Sequence, residues 1–300
     1  MTRTLYAIME SAAMSSHGCA ISIRQACEAR GIAFKQLLSS DCSLETAATL
    51  LPDQPSLLYR ISTRPKAQLL ESTLVLRHAG QFTTIYDTKT VPLPPRQFSE
   101  INEQIAAGLC VLPTKLIDAV WQGYDPARLE SEIAALGGFP VIIKRLGLSH
   151  GQGVQRLESA TELQTLLAST DFETVGVIAR RYLASYRHYR LIVVDDEVVA
   201  AIEYHVPDDD FRTNAGEPVV TAVSLETLTA DMKQLALDSV RLRASILGGV
   251  DILVDQTDGV AYLAEANVPC YFARAEEPTG IDIGGLLVDA LLRKQAKELA

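Results

Sequence analysis

Gly249-Val250-Asp251-Ile252-Leu253-Val254-Asp255, then Gln256-Thr257-Asp258-Gly259, then Val260-Ala261-Tyr262-Leu263-Ala264-Glu265-Ala266-Asn267, is a pair of period-2 apolar runs around an Asp-Gly turn. This pattern predicts a β-hairpin. Glu265 and Asn267 lie two apart on one strand and therefore share a face. With Asp251 on the partner strand they offer hard oxygen donors of the kind that suit Mg²⁺. The bland alternative is a set of polar residues on a half-exposed hairpin.

About a hundred residues upstream, Phe139-Pro140-Val141-Ile142-Ile143-Lys144 forms a β-rich run ending in a cation. It leads into Gly147-Leu148-Ser149-His150-Gly151-Gln152-Gly153 and another strand-like piece, Val154-Gln155-Arg156-Leu157. Glycines let backbone N–H groups approach an anion, and a nearby lysine adds charge. The spacing is neither a Walker A loop nor a dinucleotide fingerprint, and the next helix starts only at Ser159-Ala160-Thr161-Glu162, a capping-box spacing. Taken alone, the loop reads equally well as a flap over phosphates or as a surface hairpin.

Length and composition bound the rest. Three hundred residues, 48% of them hydrophobic, suffice for two or three domains. A balance of 27 basic against 37 acidic residues gives −10, which disfavours a nucleic-acid partner. No uninterrupted apolar run reaches the ~18 residues of a membrane span, and Met1–Ile8 reads as a buried first strand rather than a leader. The cysteines at 19, 27, 42, 110 and 270 lack metal-type spacing, which predicts reduced thiols in a cytoplasmic protein.

The chain is predicted to be α/β (α+β), in three parts. Residues 1–95 alternate strands (Leu5–Met9, Ile32–Leu38, Leu57–Arg60) with a helix over Cys19–Arg30, the rhythm of an open α/β domain. Val91-Pro92-Leu93-Pro94-Pro95 is the clearest linker. Residues 96–183 form a central segment, mainly helical to about 120, with a second helix over Pro126–Leu136. Residues 184–300 open with a hairpin, Arg190–Val194 and Val198–His205, and continue through a helix near Leu225–Leu247 to the hairpin quoted first.

In this order, Gly138-Phe139-Pro140-Val141-Ile142-Ile143-Lys144, Ser149–Val154, Tyr189-Arg190-Leu191-Ile192-Val193-Val194, Asp210-Phe211-Arg212-Thr213-Asn214, Gly249–Leu253 and Glu265-Ala266-Asn267 resemble the ATP-grasp superfamily. The branch they resemble is that of the ribosomal-protein glutamate ligases and lysine-biosynthesis ligases. The resemblance spans roughly residues 90–295. It implies an N-terminal pre-ATP-grasp domain, two ATP-grasp lobes, and ATP with Mg²⁺, Mn²⁺ being an alternative. Residues carried over are Lys144 on the nucleotide phosphates, the loop Ser149, His150, Gly151, Gln152 and Gly153 closing over them, and Arg180-Arg181-Tyr182-Leu183 as the hinge whose backbone reads adenine. Asp251, Glu265 and Asn267 become metal ligands, and Arg212 and Asn214 lie beside the reacting centre. The implied reaction is phosphorylation of a carboxylate followed by amine attack, on small amino-acid or peptide substrates, with no membrane or nucleic acid involved and a homo-oligomer left open. A catalytically silent nucleotide binder and a small-molecule kinase of the same fold are the alternatives.

Some positions depart from that pattern. Arg96-Gln97 stands where the family usually has a lysine after the linker, Arg181 where the hinge commonly has Glu, Glu203-Tyr204-His205 where relatives place arginine, and Ala215-Gly216-Glu217 where a basic double-glycine stretch is usual. They suggest a changed acceptor. Four further readings rest on residue chemistry: Arg190 as nucleotide contact or structural ion pair, His150 as a general base, Arg60 and Arg64 as a carboxylate clamp or a solvated face, and His205 with Pro269–Arg274 as walls of an acceptor pocket.

Overall fold

The computed structural model describes residues 3–42, 52–78, 80–87, 97–117, 125–145, 153–168, 177–205 and 219–300. Its strands make three sheets. The first is parallel, in the order β2-β1-β3-β4, from β1 (Thr4–Met9), β2 (Ala33–Leu38), β3 (Ser56–Arg60) and β4 (Phe82–Thr83). Every residue of β1 is buried, as expected for a strand covered on both faces. The covering helices are α1 (Gly18–Ala29) and α2 (Pro65–Arg77), and α2 begins on a proline, whose missing N–H costs nothing in a first turn.

The second sheet is antiparallel, β5-β8-β6-β7, from β5 (Thr114–Ile117), β6 (Val141–Arg145), β7 (Val154–Leu157) and β8 (Val177–Arg181). Helix α3 (Gln97–Ala106) precedes it, and α4 (Pro126–Ala134) and α5 (Ala160–Leu167) supply its core partners. The capping spacing at 159–162 is realised. Ser159 Oγ accepts from the Glu162 N–H at 3.3 Å, and the Glu162 carboxylate accepts from the Glu158 N–H at 2.8 Å. Residues 96–120 are less helical than their sequence suggests: α3 ends at Ala106, and Thr114–Ile117 is recruited as an edge strand against β8.

The third sheet is antiparallel, β11-β10-β9-β12-β13, from β9 (Tyr186–Val194), β10 (Glu197–Tyr204), β11 (Val220–Ala222), β12 (Leu247–Asp255) and β13 (Ala261–Asn267). Asp195 and Asp196 turn the β9–β10 hairpin at φ 50 and 66, which suits short polar side chains. The helix expected near Leu225–Leu247 is a short 3-10 turn, Leu225–Thr227, followed by α6 (Ala230–Leu242), and it ends early because Leu247 already opens β12. Helices α7 (Ala273–Thr279) and α8 (Ile283–Glu298) follow. No helix among the described residues is long and apolar enough to cross a membrane.

The two faces of the third sheet have different partners. Leu191, Val193, Ala201, Val250, Ile252 and Leu263 pack with α6 through Met232, Leu235, Ala236 and Val240. On the other face Ile192, Val194, Ala200, Ile202 and Tyr204 join Leu5, Ile23, Tyr59, Phe272 and Leu287 in one core shared with the first sheet. A Cβ at Gly249 would stand 2.8 Å from Cys270 Cβ, so only glycine lets the 268–272 segment lie this close to β12.

Candidate functional site

Strand alternation decides what faces what. On β6 and β8 the residues Val141, Ile143, Val177 and Ala179 enter the core under α4 and α5. Lys144 and Arg180 therefore point the opposite way, towards the edge strand β13. Lys144 Nζ lies 3.9 Å from Glu265 Oε2, and Arg180 Nη1 donates to the carbonyl of Ala264 at 3.0 Å. Hairpin β12–β13 is the one read from the sequence. Asp251 pairs in register with Glu265 on one side and with Arg190 of β9 on the other, and Gly249 pairs with Asn267. So Arg190, Asp251, Glu265 and Asn267 share a face.

Asp251 is buried and its carboxylate is crowded with donors. Arg190 grips it with two hydrogen bonds, Nε to Oδ1 at 2.8 Å and Nη2 to Oδ2 at 2.7 Å. His188 Nε2 lies 3.2 Å from Oδ1, and Asn267 Nδ2 donates to Oδ2 at 3.1 Å. A carboxylate has about four acceptor positions, and all four are engaged. Burial by itself would raise the Asp251 pKa, but the Arg190 charge and the donors from His188 and Arg190 outweigh it and hold the carboxyl below its usual range. Of the two readings made of Arg190, the structure shows the ion pair, with Asp251.

The other oxygens are more open. Glu265 has 42% of its side chain exposed. Asn267 turns its amide nitrogen to Asp251, because a carboxylate can only accept, and its Oδ1 has no partner among the described residues. This donor set fits a hard divalent cation. Glu265 and Asn267 offer oxygens directly, and Asp251 can ligate when one of its present donors yields.

Sequence reading missed Glu100 of α3. Burial pushes its pKa from 4.5 up to about 7; Arg243 and Lys144 oppose the rise, and Glu265 and Glu103 add to it. Nothing in the local sequence marks it, because its neighbours come from β6, β13 and α6. His188 was also missed, yet it was legible: it lies two residues before Arg190 on the same strand. It stacks on Tyr204, ring centroids 4.7 Å apart, and the Arg190 guanidinium stands over the same ring. The Tyr204 hydroxyl is buried without a partner among the described residues.

In the stretch expected to form the hinge, Tyr182 lies under the Arg156 guanidinium at 4.3 Å, and Leu183 is buried with Leu112 and Tyr262. Arg181 Nη1 donates to the Tyr262 hydroxyl at 3.4 Å, and Nη2 is 3.8 Å from Asp255 Oδ2. Gly153 opens β7 at φ 70, a conformation that favours glycine. Ser149, His150, Gly151, Gln152, Arg212 and Asn214 lie outside the described residues.

One expectation needs correction. Arg60 does not clamp a substrate. It is buried, with Nε donating to Glu71 Oε2 at 2.7 Å and Nη1 to the Ser62 carbonyl at 2.7 Å, because β3 carries it under α2. Arg64 is exposed, 3.6 Å from Glu10. Along residues 203–205, strand alternation sends neighbouring side chains to opposite faces. Glu203 shares its face with Tyr189 and accepts both hydrogen bonds from Arg187, at 2.7 and 2.6 Å, while His205 Nε2 lies 3.0 Å from Thr221 Oγ1. Only Tyr204 turns to the Asp251 side. Tyr271, after β13, meets His17 edge to face at 4.8 Å, so the 269–274 segment lies against the start of α1. Burial pushes the Cys19 thiol to about 12 and Cys27 to about 11, which leaves neither a nucleophile at neutral pH.

Residues 117–291 match the family described as RimK-like ATP-grasp domain. The chain is 27% identical over 241 residues to a ribosomal protein bS6–L-glutamate ligase of Escherichia fergusonii, a match covering 75% of this chain and 78% of that protein. In fold it is similar to the ATP-grasp ligase PsnB complexed with minimal precursor, Mg and ADP, with a TM-score of 0.69, 20% identity and 97% of each chain covered. It is also similar to the D-alanine–D-alanine ligase of Bacillus anthracis, with a TM-score of 0.71, 12% identity, and 99% of this chain and 98% of that one covered.

Proposed function

Because the chain belongs to the RimK-like ATP-grasp family, and is with it an ATP-dependent carboxylate–amine ligase, we propose that it works on small amino-acid-like or peptide substrates from the β13 edge just described. A carboxylate substrate takes the γ-phosphoryl group of ATP to give an acyl phosphate and ADP. An amine then attacks the acyl carbon, the amide forms, and phosphate leaves. Family membership favours this over a silent nucleotide binder or a kinase that stops at phosphorylation.

The observation that supports the site most is the convergence of Lys144, Arg180, Glu265, Asn267, Asp251 and Arg190 on one edge. Phosphoryl transfer asks a protein mainly for positioning and charge neutralisation. Lys144 supplies a point charge for phosphate. Arg190, fixed by Asp251, presents an oriented guanidinium whose position cannot drift. Glu265 and Asn267, with Asp251 behind them or joining them, would hold Mg²⁺ or Mn²⁺, which would supply charge neutralisation and Lewis acidity when bound. Leu112, Leu183 and Tyr262 give the hinge side an apolar wall for the base. Arg212 and Asn214 belong beside the reacting centre by resemblance. We place the protein in the cytoplasm, without a membrane or nucleic-acid partner, in keeping with its net charge of −10.

Titration with Mn²⁺ in the presence of ADP, followed by the electron-spin signal of free Mn²⁺, tests the metal assignment without turnover. The parent chain should bind, and Glu265→Gln should bind at least roughly tenfold more weakly. Equal binding by the two proteins would remove Glu265 from the ligand set.

A further inference from the structure

The hinge residue Arg180 sends its side chain to the phosphate side of the site. In β8 it pairs with Ile142, and Lys144 lies two residues further along β6 on the same face. Such diagonal cross-strand neighbours are roughly 7–8 Å apart at Cα, within common reach of two long cationic side chains. Arg180 Nη1 is held by the carbonyl of Ala264, the residue before Glu265. Its Nε is buried without any hydrogen-bond partner among the described residues, and no carboxylate among them comes within ion-pair distance. Glu265 and Glu100 act on it only at longer range.

A guanidinium Nε taken out of water with no hydrogen-bond partner and no close counter-ion is costly by itself. Burial pulls its pKa down, and the two glutamates only partly oppose that. An anion arriving between Lys144 and Arg180 would remove the cost. A nucleotide phosphate is the anion that fits, because its tetrahedral oxygens can accept from the guanidinium fork and from Lys144 together while facing the oxygens of Glu265 and Asn267. We propose that Arg180 is a phosphate-binding residue, gripping a phosphate of the bound nucleotide together with Lys144 instead of serving only as hinge backbone along the base. This inference rests on the ATP-dependent reading above.

The test is a binding series of adenosine, AMP and ADP by calorimetry on the full chain and on Arg180→Gln. ADP should bind roughly 10- to 100-fold more weakly to the variant, the range of a hydrogen bond to a charged group. Adenosine should change by less than about twofold. A purely structural or base-reading role would weaken adenosine and ADP alike, and that result, or unchanged ADP binding, would overturn the proposal. Should Arg180→Gln fail to fold by circular dichroism, Arg180→Lys carries the comparison. It keeps the charge and loses the fork, so ADP should weaken severalfold with adenosine unmoved, and an equal loss for both ligands refutes the idea. A parent chain that binds no ADP at all would refute the ATP-dependent reading beneath it.

Discussion

Arg190→Met is the most informative single change at the sheet. Arg190 and Asp251 face each other across β9 and β12, with 13% and 5% of their side chains exposed. Removing the guanidinium deletes the two shortest hydrogen bonds to Asp251 and leaves a buried carboxylate with only His188 and Asn267. Breaking a buried pair from one side costs about 3–5 kcal/mol, most of it from the charge left unpaired. At about 2 °C per kcal/mol for a chain of this size, the melting temperature should drop by roughly 6–10 °C. Replacing both residues, Arg190→Met with Asp251→Leu, removes the stranded charge and should recover most of the loss. The sign of the pH dependence should also change. In the parent the Asp251 carboxyl is held below 3.8, so its contribution is present above that value and is lost as pH falls through the lower folded value. In Arg190→Met, burial dominates and raises the folded pKa, so stability should instead fall as pH rises above about 4. Urea unfolding followed by circular dichroism at several pH values measures all three proteins. A single variant within about 1 kcal/mol of the parent, or a double variant as unstable as the two singles added, would refute the reasoning.

Other perturbations follow from the same geometry. Glu100 has a folded pKa of about 7 against 4.5 unfolded, so between those values the folded state holds an extra proton and stability should fall as pH rises. At ~1.36 kcal/mol per pH unit this is at most about 3 kcal/mol, and Glu100→Gln should abolish the decline; an unchanged slope in urea midpoints over that range would count against its burial beside Glu265 and Glu103. Glu265→Gln should lower Mg·ATP turnover at least roughly 100-fold while leaving the melting curve in place, since the side chain is partly exposed and isosteric with its replacement; near-normal phosphate release would contradict its role. Arg60→Lys should lower the melting temperature by breaking the buried fork to Glu71 and Ser62, yet leave kcat/KM of the folded fraction within about twofold; a selective rise in KM would restore Arg60 as a substrate residue.

Much of this was legible in the sequence because it is local. The Asp-Gly hairpin, the capping spacing at Ser159–Glu162 and the same-face pair Glu265 and Asn267 depend on residues a few positions apart. What escaped depends on tertiary partners. Thr114–Ile117 is a strand only because the edge of β8 is available, and local propensity over four residues cannot announce that. Arg60 and Arg180 are both arginines near strand ends, and the sequence cannot tell which meets a glutamate. Glu71 neutralises Arg60 from α2, while Arg180 reaches a backbone carbonyl and little else. Glu203 was grouped with Tyr204 by adjacency, although strand alternation puts the two on opposite faces. That rule was available in the sequence and would have separated the two side chains at once.

The central claim is ATP-dependent joining of a carboxylate to an amine, and the most direct measurement is phosphate and ADP release with Mg·ATP across amino acids and short peptides, offered singly and in pairs, with product masses recorded. The expected result is phosphate release that requires a carboxylate–amine pair, with a product lighter by one water than the sum of the two. Stoichiometric accumulation of a phosphorylated compound without any amine, or tight ADP binding with no release on any pair, would contradict it.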